Sequence, residues 1–456
     1  MKNIILAAVL AVIFAFGAGC GKKTQNPPEE YALKPVTSMP VFEDDGSYEY
    51  YIGGWNGPAQ ADEKAMRILS ECGINHIMLP NTTIAPSLMK TIIKNAAKYG
   101  VKAYPQMMGK ITATPEEFFN HVFDDSLGEK GLAGFCYYDE PMTDKFDGFV
   151  RLVENHNEKY KDLDFFINLY GEIYYNDLPQ NTAESYMEYV MMYCSKVLSK
   201  VEGRRILSVD HYPLQWSKST QGNFRISPTW LQTCEVIAQN AKTYDAMSHY
   251  YLTSTEHYDY RKPTEQRLRY EVNVYMTYGA QGVSHFGYSG DASGVEPKKF
   301  ENSMVGADGL TIRPFYYEAQ KVNREILAWD HVFLRYDWQG VMNVLGEGND
   351  SNKLFDNTSL SLNSLPNLEY ISASGDTLVG YFEDEEGQPA YMITNIGDPD
   401  VVKEPDVVNF AVADATAAVL YRRGNAENVK LDNGAFTLEI GAGEAVFVIP
   451  VNLVNG

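Results

Sequence analysis

The chain has 456 residues, of which 45% are hydrophobic and 21% are charged, so it is long enough for one large globular domain and a smaller one. Its 60 acidic residues against 38 Lys and Arg give a formal net charge of −22, which excludes nucleic acid as a partner because phosphate binding requires a basic surface. The same charge disfavours a strongly anionic substrate.

The first 20 residues have the pattern of an export signal. Lys2 precedes an apolar run from Ile4 to Phe16 that is too short for a transmembrane helix, and small residues lead to Cys20. The segment resembles a bacterial lipoprotein signal, in which the cysteine carries the lipid. Residues 21–40 are polar and predict a flexible tether. We therefore expect a cell-envelope protein, lipid-anchored through Cys20 to a bacterial membrane at its periplasmic side or at the cell surface.

Strand-like and helix-like segments alternate after residue 41. Eight apolar runs of strand type, the first beginning at Tyr48 and the last ending at Tyr288, are each followed by a segment of helical periodicity. Eight such units predict an α/β fold, a (β/α)8 TIM barrel over residues 41–334. A doubly wound sheet is disfavoured because the sequence lacks the Gly-rich phosphate loop of that fold.

The pattern changes after residue 334. Short alternating runs, such as Leu378 to Phe382 and Phe436 to Ile440, are separated by turn residues. They predict a small all-β antiparallel sandwich over residues 335–456. We expect this domain to brace the barrel, and a separate carbohydrate-binding role is the alternative.

Four cysteines follow Cys20 in the sequence. Cys72, Cys136, Cys194 and Cys234 lie inside predicted helices or strands and have no CxxC spacing. Buried free thiols are the favoured interpretation, with a disulfide between Cys194 and Cys234 as the alternative. The pattern predicts no metal site and no other cofactor.

The segment from Gly134 to Pro141 is the most informative motif of the chain. Its apolar and aromatic residues form the predicted fourth strand, which ends in Asp139 and Glu140. Carboxyl groups at the end of a buried strand are costly unless solvated, paired or protonated, and parallel barrel strands point these ends at the active site. The alternative is a helix N-terminus capped by Asp139 with Pro141 at its first position, which leaves Glu140 without a role.

Other polar and aromatic residues fall at the predicted C-terminal ends of the barrel strands. Amides and carboxylates pair with hydroxyl groups and aromatic rings stack on the C–H faces of sugars, so this set predicts a carbohydrate substrate. No Lys or Arg stands at these ends, which argues against a phosphate site and a Schiff-base aldolase. The predicted substrate-binding residues are Trp55, Tyr138, Asp139, Asn168, Tyr170, His211, Tyr212, His249, His257, His285 and Tyr288.

Glycoside hydrolysis requires two carboxyl groups, one a protonated acid and the other a nucleophile or base. We expect Glu140 to be the acid, because Asp139 and the neighbouring tyrosine rings should raise its pKa. The candidate partners are Asp210, at the end of the sixth strand, and Glu256, a few residues beyond the seventh, and the choice of nucleophile stays open. The alternative is a metal site built from Asp210 and three histidines, which are His211, His249 and His285.

A family resemblance rests on short motifs of the barrel. Tyr138-Asp-Glu-Pro141 is similar to the fourth-strand motif of clan-A glycoside hydrolases, in which Asn-Glu-Pro carries the acid/base glutamate. The stretches Thr264 to Glu271 and Tyr278 to Tyr288 resemble the late barrel of family 42 β-galactosidase-like proteins. Together with residues 257–264 they are also similar to lipoproteins of gut Bacteroidetes encoded near glycan-utilisation genes. The resemblance implies a barrel that hydrolyses a carbohydrate with Glu140 as acid/base.

The chain departs from that family's pattern at two positions. Asp139 stands where the family has asparagine, and no glutamate stands near His249 to Tyr251, where the family has its nucleophile. Two hypotheses therefore remain: an exported glycoside hydrolase, and a catalytically silent glycan-binding lipoprotein on the same barrel. The sequence predicts no particular sugar, linkage or oligomeric state.

Overall fold

The computed structural model describes residues 36, 42–60, 62–79, 86–107, 131–172, 182–216, 224–290, 300–301 and 303–452. These residues belong to one compact unit that spans residues 33–456. Within them, no helix is both long and apolar enough to span a bilayer. Cys20, the signal segment and nearly all of the tether at 21–40 lie outside the described residues, so export and lipidation remain predictions from the sequence.

Eight parallel strands form the barrel, numbered here in chain order with the short strands between them. Each strand pairs with the next along the chain, β11 pairs with β1, and parallel bridges at Ala103–Leu132 and Gln106–Cys136 join the β3 and β4 sides, which closes the ring. The barrel strands are β1 Tyr51–Gly54, β2 His76–Leu79, β3 Lys102–Pro105, β4 Gly134–Asp139, β5 Asp164–Tyr170, β6 Ile206–Asp210, β9 Met247–Thr253 and β11 Gly282–Phe286.

Helices cover the outside of the barrel. The side chains of Asp62, Ser185 and Thr264 cap the N-termini of three helices, where each accepts a hydrogen bond from a backbone N–H group. Pro314 is the first residue of another helix, so the local sequence determines where several helices begin. The predicted (β/α)8 barrel is confirmed. The helices are α1 Glu63–Glu71, α2 Pro86–Ala97, α3 Phe146–Tyr160, α4 Tyr186–Lys196, α5 Trp230–Thr243, α6 Glu265–Thr277, α7 Pro314–Leu327, α8 Asp330–Phe333 and α9 Lys353–Asp356, with 3₁₀ turns at Thr143–Lys145 and Leu198–Lys200.

Side chains of the barrel strands alternate between the interior and the helix-facing layer. On β5, Phe166 belongs to an apolar cluster inside the barrel, whereas Ile167 and Leu169 pack into the core shared with the helices. Asn168 points inward, where it bonds to Ser208 of β6. Because of this period of two, only every second residue near a strand end can reach the barrel mouth.

An all-β domain follows the barrel. A six-stranded sheet in the order β13-β15-β16-β21-β18-β19 faces a three-stranded sheet in the order β14-β17-β20, and rings of the two sheets meet in its core, as Tyr391 and Phe410 do at 5.4 Å. The predicted antiparallel sandwich is confirmed. The strands are β13 Asp337–Val344, β14 Leu368–Ala373, β15 Thr377–Glu383, β16 Pro389–Asn395, β17 Asp406–Val412, β18 Ala417–Arg422, β19 Asn425–Lys430, β20 Ala435–Ile440 and β21 Ala445–Val451.

The β domain packs against the barrel through aromatic rings. The ring of Phe333 in α8 lies 5.5 Å from that of Phe382 and 5.6 Å from that of Phe447. Trp329 stacks on Tyr421 with ring centroids 5.6 Å apart. One continuous apolar core therefore includes residues on both sides of residue 334.

A buried arginine adds a polar link between the two domains. Arg261, in the loop between β9 and α6, has a fully buried side chain that bonds to Asp398 at 2.7 Å and Asp400 at 2.8 Å in the loop between β16 and β17. Its guanidinium also donates to the backbone carbonyl oxygens of Gln215 at 3.1 Å and Arg225 at 3.0 Å. Arg261 thus fixes a segment at the barrel mouth to the β domain.

The cysteines of the described residues are buried free thiols. The alternative of a disulfide between Cys194 and Cys234 is therefore wrong. Cys136 lies inside the barrel, whereas Cys72, Cys194 and Cys234 pack in the core between strands and helices. Their thiols serve as small apolar groups.

Candidate active site

An extra residue in β4 decides which of its side chains reach the barrel interior. Cys136 pairs with Phe166 and Asp139 pairs with Asn168, so three steps along β4 match two steps along β5. The irregularity lies between Cys136 and Tyr138, and bulges of this kind re-aim the side chains that follow them. A regular strand would place Asp139 in the outer layer, whereas the bulged strand brings it beside Asn168 in the mouth.

Three carboxyl groups meet at the C-terminal ends of β4 and β6. Asn168, on the intervening strand β5, donates from Nδ2 to Asp139 Oδ1 at 3.1 Å and to Asp210 Oδ1 at 3.0 Å. The side chains of Glu140 and Asp210 are hydrogen-bonded to each other. The structure therefore brings together three of the predicted site residues around one amide group.

Burial and mutual repulsion separate the pKa values of these carboxyl groups. Burial, followed by the charges of Asp210 and Asp139, raises the pKa of Glu140 to about 10. Burial raises the pKa of Asp210 to about 7 and that of Asp139 to about 6, and the Asn168 amide opposes both shifts by stabilising the carboxylates. Near neutral pH, Glu140 therefore keeps its proton and donates it to Asp210, while Asp139 is mostly ionised.

The backbone of Glu140 lies in the left-handed region. Its φ is 52°, which is uncommon for a residue with a side chain. Its N–H donates to the carbonyl oxygen of Asn168 at 2.8 Å, so the ladder continues one residue beyond β4. Such a backbone position costs about 1–3 kcal/mol and is often found at active sites.

A chain of hydrogen bonds below the carboxyl groups orients Asn168. Ser208 Oγ donates to Asn168 Oδ1 at 2.8 Å, which turns the amide nitrogen toward the carboxylates. Because the Ser208 proton is used there, its oxygen accepts from His249 Nδ1 at 2.9 Å, and His249 Nε2 accepts from Ser284 Oγ at 2.8 Å. The prediction that His249 binds substrate is wrong, because both ring nitrogens are engaged and the side chain is fully buried.

Aromatic rings stand beside the carboxyl groups. Trp55, just beyond β1, meets Tyr251 of β9 edge to face with ring centroids 5.6 Å apart. The ring of Tyr212 lies 5.3 Å from that of Tyr260 and 5.5 Å from that of Phe286. Burial and then the charge of a nearby carboxyl raise the pKa of Tyr212 and Tyr260, which places both phenols close to the carboxyl cluster. Flat apolar rings beside carboxyl groups suit a sugar ring.

Two buried polar atoms near the carboxyl groups have no hydrogen-bond partner among the described residues. They are Tyr212 Oη and Gln106 Nε2, and each residue is only 4% exposed. Gln106 follows β3 and forms a bridge with Cys136, so both face the barrel interior. A buried polar group without a partner costs about 1–3 kcal/mol, and a hydroxyl-rich ligand could satisfy both atoms.

Two predicted ligand-binding histidines point away from the mouth. His285 is fully buried on the outer face of β11, with Nδ1 2.8 Å from Ser254 Oγ and Nε2 2.9 Å from Asn323 Oδ1 of α7. The ring of His211 lies between two hydroxyl groups of residues 227–233, at 2.7 and 2.8 Å. Direct substrate contact by His211 and His285 is therefore contradicted. The described residues also contain no group of His, Cys, Asp and Glu arranged to hold a metal ion.

The predictions that Tyr138 and Tyr288 line the mouth are also wrong. The bulge turns Tyr138 outward, where its ring packs 5.3 Å from that of Phe149 on α3. Tyr288 follows β11 and is fully buried in the core between the strands and the helices. The bulge in β4 explains the outward side chain of Tyr138, and the left-handed backbone of Gly287, with φ at 78°, interrupts the alternation of β11 before Tyr288.

Tyr170 lies close to the carboxyl cluster, as predicted from its place at the end of β5. Burial and then the charges of Glu140, Asp139 and Asp210 raise the pKa of Tyr170 to about 12. The phenol is partly buried, so it stays protonated at neutral pH and can donate a hydrogen bond at the mouth.

Glu256 and His257 form the short strand β10 (Glu256–His257), which pairs with β12 (Phe300–Glu301). His257 is 4% exposed, and its ring lies 5.4 Å from that of Tyr212, so it belongs to the same group of packed rings as Tyr212, Tyr260 and Phe286. Glu256 follows the end of β9 by three residues. Of the two candidate partners for Glu140, Asp210 makes direct contact with it through a side-chain hydrogen bond.

Sequence reasoning did not single out Ser208, Tyr260 or Phe286. Ser208 precedes Asp210 by two residues on β6, so period-two alternation alone would have placed both inside the barrel. Phe286 is the last residue of β11 and faces inward, a direction that can be assigned only once the residues of the strand are known. Tyr260 lies in a loop, where no periodic pattern predicts the direction of a side chain.

Comparisons with known proteins place the fold. No protein family model and no curated protein sequence matches the chain. Among solved structures, α-galactosidase I from Mortierella vinacea has a TM-score of 0.51 at 8% identity, over 91% of this chain and 100% of that one. A GH27 β-L-arabinopyranosidase from Geobacillus stearothermophilus has a TM-score of 0.48 at 9% identity, over 90% and 98% of the two chains. Both are glycoside hydrolases, and the similarity to α-galactosidase I establishes the fold of this chain, a (β/α)8 barrel followed by a β domain.

Proposed function

We propose that this protein is an exported glycoside hydrolase that acts on a glycan or oligosaccharide, with Glu140 as the general acid. The observation that carries the proposal is the contact of Asp139, Glu140 and Asp210 around the Asn168 amide, with pKa values spread from about 6 to about 10. A glycosidase requires one carboxyl that keeps its proton and another that is ionised at the same pH. The fold shared with glycoside hydrolases supports the proposal.

The contacts assign a role to each carboxyl group in this proposal. Asp210 shares the proton of Glu140, which leaves Asp139, held by the Asn168 amide, as the carboxylate that attacks the anomeric carbon or activates water. Glu140 donates its proton to the leaving oxygen. Asp210, with a pKa of about 7, shares the proton of Glu140 in the free enzyme. That proton leaves with the departing alcohol, and in the second step the ionised Glu140 takes a proton from the water that attacks the anomeric carbon.

The surroundings of the carboxyl groups suit a sugar. Trp55, just beyond β1, supplies an aromatic ring for its C–H bonds, whereas Tyr212 and Gln106 supply polar atoms that lack a protein partner within the described residues. A bound sugar would therefore satisfy buried groups that have no partner in the described part of the chain. A carbohydrate fits this combination better than an apolar ligand does.

Hydrolysis of a panel of aryl glycosides and glycans tests the proposal. The protein lacking residues 1–20 should be assayed beside Glu140→Gln and the control Glu154→Gln, an exposed glutamate on α3. We expect Glu140→Gln to lose about 10²–10⁴-fold in kcat on poor leaving groups and much less on dinitrophenyl glycosides, which need no acid. Equal losses on both leaving groups would contradict the acid assignment.

One observation favours the second candidate function, a catalytically silent glycan-binding protein. Glu140 contacts Asp210 directly, so the scissile bond can enter between them only if one of these side chains moves. This alternative would be supported over catalysis if the wild-type protein binds glycans but hydrolyses no member of the panel, and if Glu140→Gln binds them with the same affinity.

We also propose that Cys20 anchors the protein by a lipid to a bacterial membrane, with a catalytic barrel over residues 41–334 and a bracing β domain over residues 335–456. The support is the sequence pattern of residues 1–20. Metabolic labelling with an alkyne-tagged fatty acid should mark the wild-type chain in the membrane fraction. Cys20→Ser should abolish the label, and persistent labelling of that variant would refute the anchor.

A further inference from the structure

A series of aromatic rings leads from the carboxyl cluster to the protein surface. Tyr212 lies 5.3 Å from Tyr260, Tyr260 lies 4.7 Å from His257, and His257 lies 5.7 Å from Tyr258, all between ring centroids. Tyr260 and His257 are 6% and 4% exposed, whereas Tyr258 is 68% exposed. The series therefore ends in a ring presented to solvent at the rim of the barrel mouth.

The backbone at Tyr258 is strained. Its φ is 48°, in the left-handed region that favours glycine or asparagine, and the N–H of Tyr260 closes the turn onto the carbonyl oxygen of His257 at 3.0 Å. A bulky residue in this conformation costs about 1–3 kcal/mol. Because most of the ring is exposed, burial of the ring recovers little of that cost. The ring of Tyr258 contacts that of His257 and leaves most of its surface available to a ligand.

The turn is held firmly despite its position at the surface. The N–H of Trp216 donates to the carbonyl oxygen of Asp259 at 2.7 Å, and the N–H of Arg261 donates to that of Leu214 at 3.0 Å. The buried guanidinium of Arg261 then joins both chain segments to the β domain through Asp398. Pre-organisation of this kind lowers the entropic cost of binding.

A second exposed ring belongs to the same rim. Trp216 ends the strand β7 (Leu214–Trp216), which pairs with β8 (Phe224–Ile226), and it is 39% exposed. Tyr258 and Trp216 thus stand on neighbouring backbone segments beyond the carboxyl cluster. Exposed aromatic rings on a rigid rim are typical of surfaces that stack on sugar rings.

We propose that Tyr258 and Trp216 form an outer sugar-stacking subsite, so that the ligand is an oligosaccharide or polysaccharide that extends several residues beyond the carboxyl cluster. The inference rests on the proposed function of that cluster and names its substrate class. The net charge of −22 favours an uncharged glycan over a polyanionic one.

The test uses the full chain in detergent and substitutes glycine at Tyr258, because Tyr258→Gly removes the ring and relieves the backbone strain. Substrates are p-nitrophenyl monosaccharides and the cello-, xylo-, manno- and β-1,4-galacto-oligosaccharides of two to six residues. We expect kcat/KM on chains of four or more residues to fall about 5- to 10-fold, with the monosaccharide glycosides changed less than about twofold. The control Tyr317→Gly removes a 60% exposed tyrosine from α7 and should affect neither class.

Binding distinguishes failure of the subsite from failure of the proposed function. If nothing is hydrolysed, the proteins are run in gels that contain the corresponding polysaccharides. The subsite is supported without catalysis if the polysaccharide retards the wild-type chain and Tyr258→Phe but does not retard Tyr258→Gly. Three outcomes would overturn the subsite. Tyr258→Gly could lose activity equally on short and long substrates, it could lose none on long substrates, or none of these polysaccharides could retard the wild-type chain. Thermal unfolding should show Tyr258→Gly to be at least as stable as the wild type.

Discussion

Glu140 and Asp210, at the ends of β4 and β6, share a hydrogen bond between their side-chain carboxyl groups. Such a contact requires a proton between the two groups, because two ionised carboxylates in direct contact repel each other. Asn168 stabilises Asp210 and Asp139 as anions, so the proton resides on Glu140. This arrangement of one acid and adjacent carboxylates leads to four predictions, and the buried side chain of Arg261 leads to a fifth.

The pH dependence of hydrolysis should be bell-shaped. Activity requires ionised Asp139, whose pKa is about 6, and protonated Glu140, whose pKa is about 10. The rate should therefore rise as the pH passes about 6 and fall as it approaches about 10. A profile of kcat/KM between pH 4 and 11 on one aryl glycoside checks this. Full activity at pH 4 would exclude Asp139 as the required carboxylate.

The stability of the protein should fall as the pH rises. The folded pKa of Glu140 is raised above its unfolded value, so the folded state binds more protons and loses stability between about pH 4 and about 10. Glu140→Gln keeps a hydrogen-bond donor toward Asp210 without this titration. We expect it to be more stable than the wild type at pH 8–9, by about 1 kcal/mol or more, with a smaller difference at pH 4.

Urea unfolding of both proteins at pH 4 and pH 9 measures this difference. Glu154→Gln, on the exposed face of α3, should show no such dependence on pH. A Glu140→Gln variant that is less stable than the wild type at pH 9 would mean that Glu140 is ionised and stabilised there.

Removal of the Asn168 amide should shift the acidic limb of the rate profile. Asn168 donates to both Asp139 and Asp210, so Asn168→Ala should raise the pKa of both and move the acidic limb to higher pH. The control Asn157→Ala loses a bond to the carbonyl oxygen of Lys200 outside the barrel and should leave the limb in place. A purely structural role for Asn168 predicts a lower rate with an unchanged limb.

The products of hydrolysis should retain the anomeric configuration. Glu140 contacts Asp210, and Asp210 and Asp139 accept from the same NH₂ group, so the acid and the attacking carboxylate belong to one compact cluster. This fits the separation of about 5–5.5 Å between the two carboxyl groups of retaining enzymes better than the about 6.5–9.5 Å of inverting ones. Proton NMR of the first product formed from an aryl glycoside identifies the anomer. Inversion would mean that the attacking species is water and that another carboxyl group serves as the base.

Arg261 should contribute strongly to stability. Its side chain is fully buried between Asp398 and Asp400, so Arg261→Met leaves the partly buried Asp398 without this partner, while Asp400 keeps its bonds to Arg267. We expect a cost of about 3–5 kcal/mol. Arg67→Met removes an exposed pair with Glu71 and should cost less than about 1 kcal/mol. Thermal unfolding of the two variants gives the comparison. Equal effects would show that the buried network does not stabilise the β domain against the barrel.

The sequence alone was enough to predict the barrel, the sandwich and the region of the site. Apolar runs, helix caps and turn residues act locally, so their order along the chain predicts the eight barrel strands and the placement of Glu140 and Asp210 at strand ends. The desolvation of carboxyl groups after an apolar strand is also a local property. It singled out Asp139 and Glu140 before any pairing of strands was known.

Only the tertiary structure decided which of the candidate side chains meet. The bulge in β4 depends on pairing with β5, and it turns Tyr138 outward and Asp139 inward, although nothing in the segment itself shows the extra residue. The same inward and outward alternation buries His211 and His285 against the helices. The choice of Asp210 as the partner of Glu140 depends on neighbouring strands in a closed barrel. Register and closure are set by contacts distant in sequence, and local patterns carry no information about them.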